Sequence, residues 1–68
     1  MGKNILTDRE QEVFDLLVLN KTTSEIAEFL DISEKTVRNH ISNTIQKLGV
    51  NGRTQAVIEL IKLGIISF

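Results

Sequence analysis

Four basic side chains lie in one stretch of the sequence that carries no carboxylate. Between residues 35 and 53 these are Lys35, Arg38, Lys47 and Arg53, which gives the stretch a formal charge of +4. The other residues sum to −5, and the whole chain carries −1. A local basic surface is enough to contact phosphates, while an acidic remainder limits non-specific affinity. The stretch therefore predicts a surface for an anionic polymer such as DNA.

Side chains that can read base edges occupy one side of the same stretch. On a helical wheel they point away from an apolar stripe made by Val37, Ile41, Ile45 and Leu48. Arginine can donate two hydrogen bonds to guanine, and asparagine can pair with adenine. The first turns of a recognition helix reach deepest into the major groove. The predicted base-reading residues are therefore Lys35, Arg38, Asn39 and Ser42, ahead of Asn43 and Gln46.

A second group of polar residues is placed to contact phosphates. Free N–H groups and the positive end of the helix dipole favour an anion at a helix N-terminus. Thr22 and Ser33 also have the positions of N-caps, and capping is compatible with phosphate contact. The predicted phosphate contacts are Thr22, Thr23, Ser33, Thr36, Lys47 and Arg53.

The sequence offers no combination of residues for catalysis or metal binding. The chain has no cysteine and one histidine, His40, which we expect to pack at a boundary or contact a phosphate. Nucleophilic catalysis needs two or three convergent groups, and a phosphate-binding glycine loop is missing as well. We therefore expect no enzyme activity, no metal, no cofactor and no small-molecule ligand.

The 68 residues contain no proline and read as four helices in a single domain, residues 1–68. Thr7 with Glu10, and Thr22 with Glu25, have capping-box spacing and mark the first two helix starts. The apolar face of helix one is assigned to Val13, Leu16 and Leu17, and the helix is expected to end near Asn20. The apolar face of helix two is assigned to Ile26, Ala27, Phe29 and Leu30. The fold class is thus all-α, a compact four-helix domain.

The second and third helices have the spacing of a helix-turn-helix at about residues 22–41. Ala27 stands where the two helices cross, and Asp31 occupies the turn. Ser33 predicts the N-cap of a recognition helix at about 34–48, which Gly49 ends.

Helix four, at about residues 53–63, is apolar over more than half of its circumference. One interpretation is a central helix wrapped by the other three. In the interpretation we prefer, one face of the helix packs against the core and a second face packs against the same helix of another subunit. The reason is that a helix in a small monomer should keep one solvent-exposed polar face. This predicts a dimerisation helix with Val57, Ile58 and Ile61 at the interface.

No apolar run approaches the ~20 residues that span a bilayer, and the N-terminus lacks a signal-peptide pattern. We expect a cytoplasmic protein that makes no membrane contact.

The segments "LTDRE", "SEIA", "ISEKTVRNHISN", "KLGV" and "GRTQAV" together resemble the DNA-binding domain of the LuxR/FixJ/GerE family of bacterial transcription regulators. The similarity runs from Leu6 to about Ile66, with Asn20 where the family usually has Gly. It is strongest to members that are little more than this domain and act in spore formation. The resemblance implies that helix three enters the major groove and helix four forms a symmetric dimer. It places Arg38, Asn39 and Ser42 at bases, and Lys35, Thr36, Lys47 and Arg53 near the backbone.

The resemblance also implies the partners. A homodimer would set two recognition helices about one DNA turn apart, on inverted half-sites. RNA polymerase at promoters is a further expected partner, and the nucleoid the expected location. Members often carry an upstream regulatory domain, so the chain is either a complete regulator or an output domain.

Two alternatives stay open from sequence. The promoter-recognition region of a sigma factor also begins with a similar "LT.RE" pattern. A protein-interaction module would have the same helices, with the polar side of helix three merely solvated.

Overall fold

The computed structural model describes residues 5–67 of the chain. It contains α1 (Asp8–Leu17), α2 (Thr23–Leu30), α3 (Glu34–Leu48) and α4 (Arg53–Lys62), and no strand within those residues. The all-α prediction is confirmed. The helix boundaries agree with the sequence prediction to within about one turn.

Three of the four helices begin at a side-chain cap. The Glu10 N–H donates to Oγ1 of Thr7, and the Glu25 N–H to Oγ1 of Thr22, each over 3.1 Å. Each glutamate carboxylate accepts from the N–H of its threonine over 2.9 Å, which completes both predicted capping boxes. Ser33 caps α3 through the N–H of Thr36. Gly52 starts α4 with no side-chain cap.

Each helix is followed within three residues by a residue with a left-handed backbone: Asn20, Asp31, Gly49 and Gly64. After each one, the next N–H donates back to a carbonyl five residues earlier, as in Ile32 to Ala27 over 3.0 Å. This Schellman arrangement satisfies carbonyls that the helix itself leaves open. Asn20 lies in the closing turn, three residues beyond the end of α1 at Leu17, so the predicted end near Asn20 is confirmed to within one turn.

Helix α3 lies at the centre of the fold and packs against α1, α2 and α4. Val37 and Ile41 of the predicted stripe are buried, whereas Ile45 and Leu48 are half-buried. Thr44, which the stripe did not include, is completely buried. Its hydroxyl donates to the carbonyl of His40 over 2.9 Å, so the buried polar atom is satisfied.

The core differs from the sequence prediction at two aromatic residues. Phe14 of α1 is completely buried, although the predicted apolar face of that helix did not include it. Phe29, assigned to the apolar face of α2, is 76% exposed and that assignment is wrong. Ile26 and Ala27 fill the buried side of α2, and at about 100° per residue Phe29 lies roughly 200° around the helix from Ala27. The core consists of Leu6, Val13, Phe14, Ile26, Ala27, Val37, Ile41, Ala56, Leu60 and Ile66.

Helix α4 lies on one side of α3, so the interpretation of α4 as a central helix is wrong. Ala56 and Leu60 are buried against the core, and Val57 and Ile61 are half-buried beside it. Ile58 is 48% exposed. The apolar residues of α4 therefore continue from the core to the surface.

Candidate nucleic-acid interface

The polar residues of α3 form one exposed side, opposite the buried stripe that docks the helix. We call this side the recognition face, and all of its residues are exposed. They are Lys35, Arg38, Asn39, Ser42, Asn43 and Gln46. The structure therefore brings together the four residues predicted to read bases. The helix position of each is fixed because Val37, Ile41 and Thr44 anchor the other side of α3.

The recognition helix is held at its first turn by the segment that follows α2. Asp31 takes a left-handed conformation, and the N–H of Ile32 bonds back to Ala27. Ser33 then caps α3, and its Oγ lies 2.9 Å from Oγ1 of Thr36. This turn sets the direction of α3 relative to α2, as a helix-turn-helix requires.

Arg38 has an intramolecular partner that the sequence prediction did not include. Its Nη1 lies 3.2 Å from Oε1 of Glu34, one helical turn earlier. Both side chains remain exposed, Arg38 at 57% and Glu34 at 44%. Glu34 lies just outside the acid-free stretch, so the count of charges between residues 35 and 53 missed it. The i, i+4 spacing was a readable signal for this pair.

Arg53 lies beside the recognition face although it belongs to α4. Arg38, Ser42 and Arg53 line one shallow depression together with Ile41 and Ile45. Arg53 is also the first residue of α4, whose N-terminal N–H groups receive no side-chain cap. Guanidinium, hydroxyl and free amide groups are donors that suit phosphate oxygens.

The hydroxyl candidates for phosphate contact are mostly occupied as caps. Oγ1 of Thr22 and Oγ of Ser33 each accept a backbone N–H. A hydroxyl that accepts a cap bond still has its own proton to donate, although one of the two hydroxyl protons of Ser33 and Thr36 is used in the bond between these hydroxyls. Thr22 is exposed, and Thr23 and Thr36 are half-buried. Capping therefore leaves the predicted phosphate contacts chemically possible.

Lys47 connects the recognition helix to α1. Its Nζ lies 2.6 Å from Oε1 of Glu10 and 3.3 Å from the carbonyl oxygen of Ile5. The ammonium group has three donors, and these contacts use two of them. The sequence identified Glu10 only as half of a capping box. The contact spans 37 residues, so no local pattern could reveal it.

The surroundings of Glu10 hold its carboxylate in the charged form. Burial alone would raise the pKa of Glu10. The hydrogen bonds from Lys47 and Thr7, with the positive charge of Lys47, outweigh that effect and leave the pKa below its ordinary value. Glu10 therefore remains an anion inside the fold at neutral pH.

The folded structure reduces the positive charge of the basic stretch. Arg38 and Lys47 each form an ion pair, whereas Lys35 and Arg53 form none with any residue between 5 and 67. Two cations of the stretch thus face solvent without an anionic neighbour of their own. Such charges are available to phosphates, whose contacts dominate the affinity of DNA-binding proteins.

The predicted dimer residues differ in exposure. Ile58 is exposed, while Val57 and Ile61 also pack against the core. Val57 and Ile58 line a depression between the end of α1 and the start of α4, with Leu17 on the α1 side. Ile58 is therefore the member of the predicted set that is most accessible to a second subunit.

The described residues show no other chemical site. In the range 5–67 no three His, Asp or Glu side chains are placed to hold a metal ion. Over the same range, no helix has both the length and the apolar character needed to cross a bilayer. His40 is half-buried on α3, where its carbonyl accepts the Thr44 hydroxyl.

Comparison with known sequences shows that the chain is similar to bacterial regulatory proteins. The family described as "Bacterial regulatory proteins, luxR family" matches residues 4–60. The chain is 69% identical over 63 residues to the spore germination protein GerE of Bacillus subtilis (strain 168), covering 93% of this chain and 85% of that protein. It is 56% identical over 61 residues to the transcriptional regulatory protein DegU of Brevibacillus brevis. That match covers 90% of this chain but only 26% of DegU.

The chain is also similar in structure to solved bacterial regulators. A structure of the transcription factor GerE superposes with a TM-score of 0.93 at 62% identity, and covers 96% of this chain and 97% of that one. The response regulator ChrA of a heme-sensing two-component system superposes with a TM-score of 0.86 at 32% identity. Here 97% of this chain matches 33% of ChrA.

Proposed function

Because the chain belongs to the luxR family of bacterial regulatory proteins, we propose that it binds double-stranded DNA as a homodimer on inverted half-sites. The family makes the chain a DNA-binding transcription regulator and not an enzyme. In the proposal, α3 of each subunit enters the major groove. The two half-sites lie about one DNA turn apart, because the two-fold symmetry of the dimer is matched by the operator.

The observation that carries the proposal is the recognition face. A helix anchored by completely buried residues on one side presents amide, hydroxyl and basic groups on the other. Arg38, Asn39, Ser42 and Lys35 are proposed to contact base edges, with Arg38 suited to guanine and Asn39 to adenine.

Phosphate contacts are proposed on both sides of α3. On one side are the caps and first turns of α2 and α3, through Thr22, Thr23, Ser33 and Thr36. The others are Arg53, at the start of α4, and Lys47, in the last turn of α3, through its third N–H donor. These groups fix the register of the protein on the duplex without reading sequence.

The proposed dimer joins two α4 helices. Ile58 and Leu63 expose 48% and 54% of their surface, and Val57 and Ile61 connect them to the core. Exposed apolar side chains at the edge of a core mark an interface more often than isolated ones do. The small size of the domain also favours dimerisation, since its own core is limited.

The cellular role follows from the relatives. We propose that the protein acts in spore development, as the name of the spore germination protein GerE indicates for that relative. RNA polymerase at the regulated promoters and a location with the nucleoid, in the cytoplasm, complete the proposal. The sigma-factor-like region and the protein-interaction module are less favoured, because the family match covers the whole helix-turn-helix.

Selection of bound sequences from a random DNA pool tests this function. Recovery of an inverted repeat with half-sites about one turn apart is expected. Fluorescence anisotropy on the selected site should then show weaker binding as salt increases. Arg38→Ala should weaken binding, by about fivefold or more.

Arg9→Ala is the matched control for Arg38→Ala. Arg9 is an arginine of α1 whose side chain is 42% exposed, and it pairs with Glu12 over 3.1 Å, much as Arg38 pairs with Glu34. Equal losses for the two variants, or a pool that yields no preferred sequence, would contradict the proposed function.

A further inference from the structure

We propose that Glu34 is a positioning residue, which holds the guanidinium of Arg38 in the orientation that selects one base pair of the DNA site. This inference rests on the proposed DNA binding and deepens it. It assigns part of the base preference to an acidic residue that was in neither the base-reading nor the phosphate-contacting set.

The geometry restrains Arg38 at the tip of its side chain. Along the depression that Arg38 shares with Ser42 and Arg53, its neighbours include Ile41 and Ile45. At the tip, Nη1 lies 3.2 Å from Oε1 of Glu34. Both charged groups are close to half exposed or more, so the pair is accessible to a groove of DNA.

Stability explains the position of Glu34 only in part, although a carboxylate in the first turn of α3 interacts favourably with the helix dipole. An exposed i, i+4 ion pair adds little to the stability of a helix. A carboxylate at the first turn of α3 also repels the phosphates on either side of a major groove. In a DNA-binding protein this carboxylate lowers the affinity for every DNA sequence. We infer that the lower affinity is compensated by greater selectivity between sequences.

Selectivity is the gain that a fixed guanidinium provides. Arginine has five N–H donors in a planar fork, and two of them must align with O6 and N7 of guanine. One N–H is directed to Glu34, which leaves the others available to a base. A mobile arginine can instead turn to a nearby phosphate, and that contact carries no sequence information. Glu34 counters this loss by holding the fork in the groove.

The test compares base preferences and not affinity alone. Selection from a random pool is carried out with the intact protein, with Glu34→Gln and with Arg38→Ala. Glu28→Gln is the matched control, because Glu28 is an exposed glutamate on α2 and its replacement changes the net charge by the same amount. Thermal melting of each variant checks that it is folded. Arg38→Ala identifies the base pair that Arg38 reads.

In Glu34→Gln the preference at that base pair should fall by about threefold or more, from the roughly tenfold that a bidentate arginine provides. Preferences at all other positions should stay unchanged, and affinity for random-sequence DNA should rise. In the double variant with Arg38→Ala, Glu34→Gln should alter no base preference further. Glu28→Gln should leave the whole profile intact.

Three results would overturn the inference. The first is a base-preference profile of Glu34→Gln that is identical to that of the intact protein, with a uniform gain in affinity. Glu34 would then only repel the DNA phosphates. The second is a change of profile that persists without Arg38, which would mean that Glu34 reads a base itself. The third is an intact protein that selects no sequence, and that result would remove the proposed function as well.

Discussion

Nζ of Lys47 and Oε1 of Glu10 lie 2.6 Å apart, and this contact joins the last turn of α3 to the first turn of α1. The Glu10 side chain is only 4% exposed, whereas that of Lys47 is 37% exposed. The same carboxylate completes the capping box of α1. One buried anion thus fixes both the start of α1 and the end of the recognition helix.

Removal of the cation should destabilise the fold. In Lys47→Met the Glu10 carboxylate stays buried and loses its counter-charge, so we expect a loss of about 1–3 kcal/mol in the free energy of unfolding. The double variant with Glu10→Gln should recover part of this loss, because the amide needs no cation. Urea unfolding measures both. Arg9→Met, which breaks an exposed pair, is the control, and an equal loss there would show that burial of Glu10 is unimportant.

Stability should depend on pH through Glu10. Its pKa is lowered in the folded state, so its contribution is fully present above the unfolded pKa of about 4.3 and disappears as the pH falls through the folded value. Melting temperatures of the intact protein should therefore fall as the pH decreases from about 5 to 3. Glu10→Gln should show a shallower decrease. Glu25, whose pKa the Thr22 N–H lowers, remains in both proteins, so the comparison isolates Glu10. Parallel curves would contradict the assignment.

Phosphate contacts should appear in the salt dependence of binding. Each contact that is lost reduces the slope of log K against log salt by about 0.9. Arg53→Ala is expected to reduce the slope by that amount and to leave base preferences unchanged. Lys62→Ala is the control, because Lys62 lies at the opposite end of α4. A slope unchanged by Arg53→Ala would exclude this phosphate contact.

Dimerisation should depend on Ile58. Ile58→Glu places a charge on the exposed part of α4, so we expect a monomer in sedimentation equilibrium and weaker binding to a two-half-site DNA. Ile61 is a poorer target, because it also packs against the core and its loss would perturb folding. Phe29→Glu removes a still more exposed apolar residue from α2 and serves as control. Loss of the dimer in the Phe29 variant alone would move the interface to α2.

Replacement of the left-handed residue in the turn of the helix-turn-helix by glycine should stabilise the fold. Asp31 has a φ of 59°, where a side chain costs energy that glycine does not incur. Asp31→Gly is expected to raise the free energy of unfolding by about 0.5–1 kcal/mol, with DNA affinity unchanged. The reverse kind of change, Gly49→Ala at a φ of 68°, should lower it by a similar amount. Urea unfolding at constant m-value distinguishes both outcomes from a change in cooperativity.

The sequence by itself determined the local structure. Capping boxes at Thr7 and Thr22, the cap at Ser33 and the stop at Gly49 act within a few residues, so their patterns predicted where helices begin and end. The period of Val37 and Ile41 likewise determined which side of α3 is buried, and hence which side is exposed. The four predicted base-reading residues are together on that side for this reason.

Only the tertiary structure decided the contacts between distant residues. Lys47 lies 37 positions from Glu10, and their meeting depends on how α1 packs against α3. Packing also buried Phe14 and Thr44 and left Phe29 exposed. The hydrophobicity of a side chain does not by itself determine whether another helix packs over it. Arg53 lies beside the recognition face for the same reason, because α4 packs against α3. Local patterns fix the helices, while long-range packing fixes which charges remain free to meet DNA.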